Sequence, residues 1–273
     1  MRLFTSWLVF LFLLTGAWSF TTCAAEAEVR GAKFQAVYLA PKTPTQIPTY
    51  NLFRNIKYLE HIANVLNGTI RIPREVLISG MDCGFPNLFY DHEEKIIFVC
   101  YELYDAVHKA FLSLSGPFPS REKVEEAERR GLEVIVFGVY HEAAHALFRE
   151  YHIPIAGKEE DAADQIATLL LTKQGVNGYH AINSAVMYHA YRADQWAKKS
   201  KTSELPFEEE HHLDSQRLSD LSCLAYGSAP KILESLVGGS GIPRARADKC
   251  PGEYQQVLGA WRALLAPYSV KGW

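Results

Sequence analysis

The chain reads as an α+β protein, with a small antiparallel or mixed sheet in the N-terminal half packed against a helical core. Three observations predict this. Short β-like apolar runs concentrate between residues 34 and 99. Helical spacing dominates from Tyr101 onward. No linker between the two halves is long or biased enough to mark a domain boundary.

Each element follows from its own pattern. Phe34 to Leu39 is a short extended segment, and the Pro-rich stretch Pro41 to Pro48 predicts a loop. Leu52, Ile56, Leu59, Ile62, Ala63 and Leu66 recur at helical spacing, so Asn51 to Leu66 predicts one helix, ended by Asn67-Gly68. Four short β-like runs come next: Ile70 to Ile72, Val76 to Ile78, Asn87 to Tyr90 and Ile96 to Val99. Asp91 to Glu94 is the polar turn of a hairpin between the last two. Tyr101 to Ser113 predicts a helix, broken by Gly116-Pro117-Phe118-Pro119. Ser120 caps a charged segment, Arg121 to Arg130, and Gly131 marks the change to an apolar stretch that runs into His141. Further helices are expected at Glu159 to Thr172, Tyr179 to Lys199, Asp214 to Tyr226 with Gly227 as its stop, Pro230 to Val237, and Glu253 to Leu265. Ser200 to Glu210 is polar and predicts a surface loop.

Composition narrows the function classes. Hydrophobic residues make up 48% and charged residues 22%, enough for a buried core, and the net charge is −3. A nucleic-acid partner is therefore not expected. Arg2 followed by the apolar run Leu3 to Phe20 and small residues up to Ala27 predicts a secretory signal, residues 1–27, cleaved after Ala25 or Ala27. An uncleaved anchor or lipid attachment at Cys23 are the alternatives. The expected mature product is one domain over residues 28–273, exported to the periplasm or secreted, without stable membrane insertion. Four cysteines remain, Cys83, Cys100, Cys223 and Cys250, an even number suited to an oxidising compartment. Three pairings are possible, and the local ones, Cys83–Cys100 and Cys223–Cys250, are expected. Asn67-Gly68-Thr69 is a glycosylation sequon.

The chemistry concentrates in His141-Glu142-Ala143-Ala144-His145. Residues four apart share a helix face, so two imidazoles can bind one zinc ion while Glu142 serves as base for a metal-activated water. A catalytic zinc takes three protein ligands, so a third is required. Glu160 and Asp164 lie one turn apart on the next helix. Glu160 completes the set, and Asp164 accepts from the non-ligating nitrogen of a zinc histidine, His141 in the preferred arrangement. Glu159 is the competing ligand, but choosing it would leave Ala163 where the supporting carboxylate belongs.

This arrangement resembles the gluzincin zinc peptidases, whose HExxH is followed by ExxAD, here Glu160-Asp161-Ala162-Ala163-Asp164. His211 and Arg217 have the spacing of a His and an Arg in the HtpX and CAAX-prenyl-peptidase group, although His212 stands where that group has Pro. The segments Asn87 to Asp91, Cys100 to Leu103, Gly157 to Gln165, and Gln216-Arg217 with Cys223 and Tyr226-Gly227 resemble a bacterial family of exported, putative zinc metallopeptidases first catalogued as a domain of unknown function.

The resemblance implies a zincin-like core, one zinc ion and a peptide or protein substrate. Glu142 would take the water proton and return it to the leaving amine. His211 is the candidate second donor to the oxyanion, ahead of Tyr140 and Tyr226. Arg217 would orient His211 or pair with a carboxylate. An extended peptide would add to a sheet edge such as Asn87 to Tyr90. The rival class is a zinc-bearing binding protein without turnover, or a structural envelope protein.

Overall fold

The computed structural model describes residues 31–199, 214–238 and 241–270. The leader-like segment, the polar stretch 200–210 and His211 lie outside them. The chain is α+β, in the order β1 (Phe34–Tyr38), α1 (Ile47–Asn55), α2 (Tyr58–Asn67), β2 (Val76–Met81), β3 (Leu88–Asp91), β4 (Ile96–Cys100), α3 (Tyr101–Leu114), α4 (Arg121–Glu150), α5 (Glu159–Thr172), α6 (Val176–Lys199), α7 (Asp214–Ser228), α8 (Arg244–Ala247) and α9 (Cys250–Leu265).

The sheet is mixed, with strand order β1-β2-β4-β3. β1 and β4 both run parallel to β2, and β3 pairs antiparallel with β4. Among the described strands, only β3–β4 is a hairpin. The β1–β2 pair is joined across α1 and α2, the kind of crossover that parallel strands require. Ile70 to Ile72 is not a strand of this sheet. Ile70 and Ile72 are buried in the core, but Ile70 makes only an isolated bridge to Ser269. Pro73 follows and has no N–H to donate to a ladder. There the apolar alternation reflects burial alone.

Two helical expectations are corrected. The predicted single helix Asn51 to Leu66 is two helices, because Lys57 takes a left-handed conformation (φ 51°) between them. Pro48 belongs to the first turn of α1 rather than to a loop, where its missing N–H has no intrahelical partner to lose. Further on, Gly227 does not stop α7, which continues to Ser228. A Cβ at Gly227 would lie 2.3 Å from the carbonyl oxygen of Cys250. The glycine is needed for the close approach of α9, where the Cys223–Cys250 disulfide joins the two helices. Pro230 to Val237 holds only a 3-10 turn, Glu234–Leu236.

The second disulfide, Cys83–Cys100, ties the loop after β2 to the end of β4. Glu102 braces the same loop by accepting from the backbone N–H groups of Cys83 and Gly84. The sequon asparagine is committed to the fold. Asn67 accepts from the N–H of Phe34 and donates to its carbonyl, both at 2.9 Å, so its amide anchors β1 to the end of α2.

The long helix α4 runs unbroken through Gly131. Ser120 caps it by accepting from the Lys123 N–H. From its midpoint on it carries Ile135, Val139, Tyr140, Ala143, Ala144 and Leu147, all buried in the main core. The α4 helix packs against α5, and the fully buried Ala144 and Ala163 let the two backbones approach closely. Beside α4 on its other flank lies β3. A Cβ on Gly138 would sit 3.0 Å from Cδ1 of Leu88, so this glycine, one turn before Glu142, sets how near the edge strand comes.

Candidate metal centre

Four elements, α4 among them, meet at the last third of α4. The helix presents His141 and His145 one turn apart, with ring centroids at 4.8 Å. The first turns of α5 bring Glu160 and Asp164, α7 brings Arg217, and β3 brings the backbone of Tyr90. His141, His145 and Glu160 form a group whose ligand atoms lie within 4.8 Å of one another.

The protonation of the rings follows from their partners. His141 Nδ1 lies 2.8 Å from Asp164 Oδ1, and His145 Nδ1 lies 2.9 Å from Glu159 Oε1. An ionised carboxylate only accepts, so in a neutral ring the Nδ1 beside it carries the proton and Nε2 presents a lone pair, whereas a protonated ring also donates from Nε2 to Glu160. The two Nε2 atoms face each other at 3.1 Å. Glu160 Oε2 is 3.1 Å from His141 Nε2, and Glu160 Oε1 is 3.3 Å from His145 Nε2. With both rings in this tautomer, four acceptor atoms converge on one point and bring no proton of their own.

Asp164 is buried and is gripped in a fork by Arg217, with Nε to Oδ2 at 2.6 Å and Nη2 to Oδ1 at 2.7 Å. Burial alone would raise the carboxyl of Asp164. The charges of Arg217 and His141 overcome that and hold it well below the usual carboxylate range. Burial alone would lower His141, but Asp164 and Glu160 outweigh it and push the ring up to about 9. His145 is raised too: burial opposes the charge, and the carboxylates of Glu160, Glu142 and Glu159 prevail. Glu160 sits far below its ordinary value, because its bonds to both imidazoles outweigh the cost of burial.

Glu142 faces β3. Its Oε2 accepts from the Tyr90 N–H at 2.9 Å. The N–H of Tyr90 is available for this because of ladder parity. Cys100 donates to Asn87, which makes 87–100, 89–98 and 91–96 the hydrogen-bonded pairs, and leaves Tyr90 with its N–H turned off the ladder. Burial raises the carboxyl of Glu142 above its ordinary value.

Of the other residues singled out from the sequence, Tyr140 is buried in the main core. Tyr226 packs in a separate small cluster around the Cys223–Cys250 disulfide and directs its hydroxyl to Glu234 at 3.4 Å. His211 lies outside the described residues. Three features went unread in the sequence: the Tyr90 N–H, the contact of Glu159 with His145, and Arg149, whose Nη2 holds Glu159 Oε2 at 3.1 Å. Arg149 stands one turn beyond His145 on the same helix face, a signal that was available. The approach of β3 left none beyond Gly138.

No curated protein and no solved structure matches the chain. Residues 38–265, most of the chain, match the family DUF4344, described as "Putative metallopeptidase", and the chain belongs to that family.

Proposed function

We propose that the chain is an exported, zinc-dependent peptidase of gluzincin type, with His141, His145 and Glu160 as the metal ligands and Glu142 as the general base. The observation that carries this reading is the convergence of both imidazole Nε2 atoms and the Glu160 carboxylate within 4.8 Å of one another. Two imidazole nitrogens and two carboxylate oxygens at 3.1–3.3 Å need positive charge among them, supplied by ring protons in the metal-free chain or by a metal ion in their place. Two imidazoles and a carboxylate form a common catalytic zinc donor set. Bonds of 2.0–2.1 Å in a tetrahedron give edges of roughly 3.3–3.4 Å, close to these separations. When bound there, zinc would supply a Lewis acid that polarises a carbonyl and makes water acidic near neutral pH.

The chain's own residues do the rest. Asp164 keeps the proton of His141 on Nδ1, and Arg217 holds Asp164 in place. The Tyr90 N–H fixes Oε2 of Glu142, which leaves Oε1 to take a proton from water and deliver it to the leaving amine. Its partly desolvated carboxylate is a stronger base than one in water. An extended peptide would lie along the outer edge of β3, which Glu142 meets at the Tyr90 N–H. His211, near Arg217 in sequence, is assigned the oxyanion on the motif alone.

The two disulfides support an exported chain, with residues 1–27 as its leader and 28–273 as the mature domain. No helix among the described residues is long and apolar enough to cross a membrane. The acidic balance gives no reason to expect a nucleic-acid partner.

The test is Glu142→Gln. The variant should bind one zinc per chain as the wild type does and cleave a peptide library about 10²- to 10⁴-fold more slowly. Undiminished cleavage would remove Glu142 from the base role. Stoichiometric zinc with no cleavage of any peptide by the wild type would favour a zinc-bearing binding protein, and absence of stoichiometric zinc a structural protein of the envelope.

A further inference from the structure

Each imidazole of the centre ends a line of three groups: ring, carboxylate, guanidinium. The line from His141 runs through Asp164 to Arg217. The line from His145 runs through Glu159 to Arg149, with 2.9 Å from Nδ1 to Oε1 and 3.1 Å from Oε2 to Nη2. We propose that Glu159, braced by Arg149, is the positioning residue of His145: it holds the proton on Nδ1, aims Nε2 at the metal, and so governs how fast the metal leaves. This rests on the metal-site reading above and adds to it a residue that would not itself touch the metal.

Geometry separates Glu159 from the ligand role. It binds the Nδ1 side of His145, whereas Glu160 binds the Nε2 side of both rings. Consecutive residues on a helix point about 100° apart, so one α5 turn can embrace the same imidazole from two sides. The carboxylate is acceptor-only, so it is compatible with one neutral tautomer of His145, the one that leaves Nε2 free. Arg149 reaches Oε2 from the end of α4 at 3.1 Å and biases Glu159 towards the orientation that faces His145. Partners of this kind typically contribute about 10- to 100-fold in metal affinity.

The experiment uses the full mature chain loaded with zinc. Release of zinc to a chromophoric chelator is timed for the wild type, Glu159→Ala, Glu159→Gln and Arg149→Ala. The tautomer of His145 is read from long-range proton–nitrogen NMR correlations of its ring. Glu159→Ala should release zinc about 10- to 100-fold faster, with a loss of the hydrogen-bonded Nδ1–H signature. Glu159→Gln should fall between, because its amide oxygen still accepts. Arg149→Ala should accelerate release a few-fold. The melting temperature of the metal-free variants should not move, which separates positioning from a merely structural role. Wild-type release rates in all three variants, with the tautomer signature intact, would overturn the inference and leave the metal site standing. A wild type without stoichiometric zinc would overturn the metal-site reading and this inference together. Should Glu159→Ala not fold, Glu159→Gln and Arg149→Ala decide the matter on the same criterion.

Discussion

The two histidine lines are built from the same chemistry and set in different surroundings. On the His141 side, the ring is 6% exposed, Asp164 9% and Arg217 15%. On the His145 side, the ring is 14% exposed, Glu159 32% and Arg149 58%. The inner line is drawn from three helices, α4, α5 and α7, and stays mostly buried to its end. The outer line joins neighbouring positions of α4 and α5 and ends in water. Desolvation makes a charge pair essential to the fold once buried, because removing one partner strands the other. Solvent makes the same pair dispensable to the fold and therefore free to tune a ligand. The inner line is thus structural as well as positional, and the outer line is positional only.

The sharpest way to break that comparison is Asp164→Ala. It takes away the buried carboxylate that both Arg217 and His141 bond to, and the metal-free variant should lose about 2–3 kcal/mol of stability in urea unfolding. The matching change on the outer line, Glu159→Ala, should lie within about 0.5 kcal/mol of wild type. Equal losses would mean that burial does not distinguish the two lines.

Acid provides a second test on the metal-free protein. The Asp164 carboxyl is depressed in the folded state, since Arg217 and His141 outweigh the effect of burial. A group so depressed contributes stability that is fully present above its unfolded value, about 3.9, and is lost as pH falls below it towards the folded value. The wild type should therefore lose stability steeply as pH falls below about 4, and Asp164→Asn should show a shallower slope over that range. Identical slopes would mean that Asp164 does not carry this linkage.

On the inner line the contact of Asp164 with His141 was legible in the sequence, Arg217 only as a partner of His211 or of some carboxylate, and the outer line was not legible. Glu160 and Asp164 could be read together because a spacing of four places both on one helix face, opposite a histidine pair with the same spacing. Glu159 was visible only as a competitor to Glu160, because sequence gives the angle between neighbours on α5 but not the rotation of α5 against α4. That rotation decides which carboxylate meets Nε2 and which meets Nδ1. The fold shows the same division. The helices from α3 onward follow apolar spacing, while the break at Lys57 depends on a left-handed residue that no periodicity announces. The continuation of α7 through Gly227 depends on the approach of α9, a tertiary fact. The hairpin β3–β4 was readable from its polar turn, but the parallel pairings on either side of β2 were not, since alternation says nothing about strand direction.

The smallest expected effect is the one that isolates solvent itself. Arg149 and Glu159 attract each other across a surface where ions penetrate, so raising salt from roughly 0.05 M to 0.5 M should screen the pair. Glu159 is then less firmly held, and zinc release from the wild type should quicken by about two- to threefold, in keeping with the fraction of a kcal/mol that an exposed pair contributes. In Arg149→Ala there is no pair left to screen, so the release rate should stay flat with salt. Equal salt sensitivity in both proteins would place the screened interaction elsewhere and remove Arg149 from the line that steadies His145.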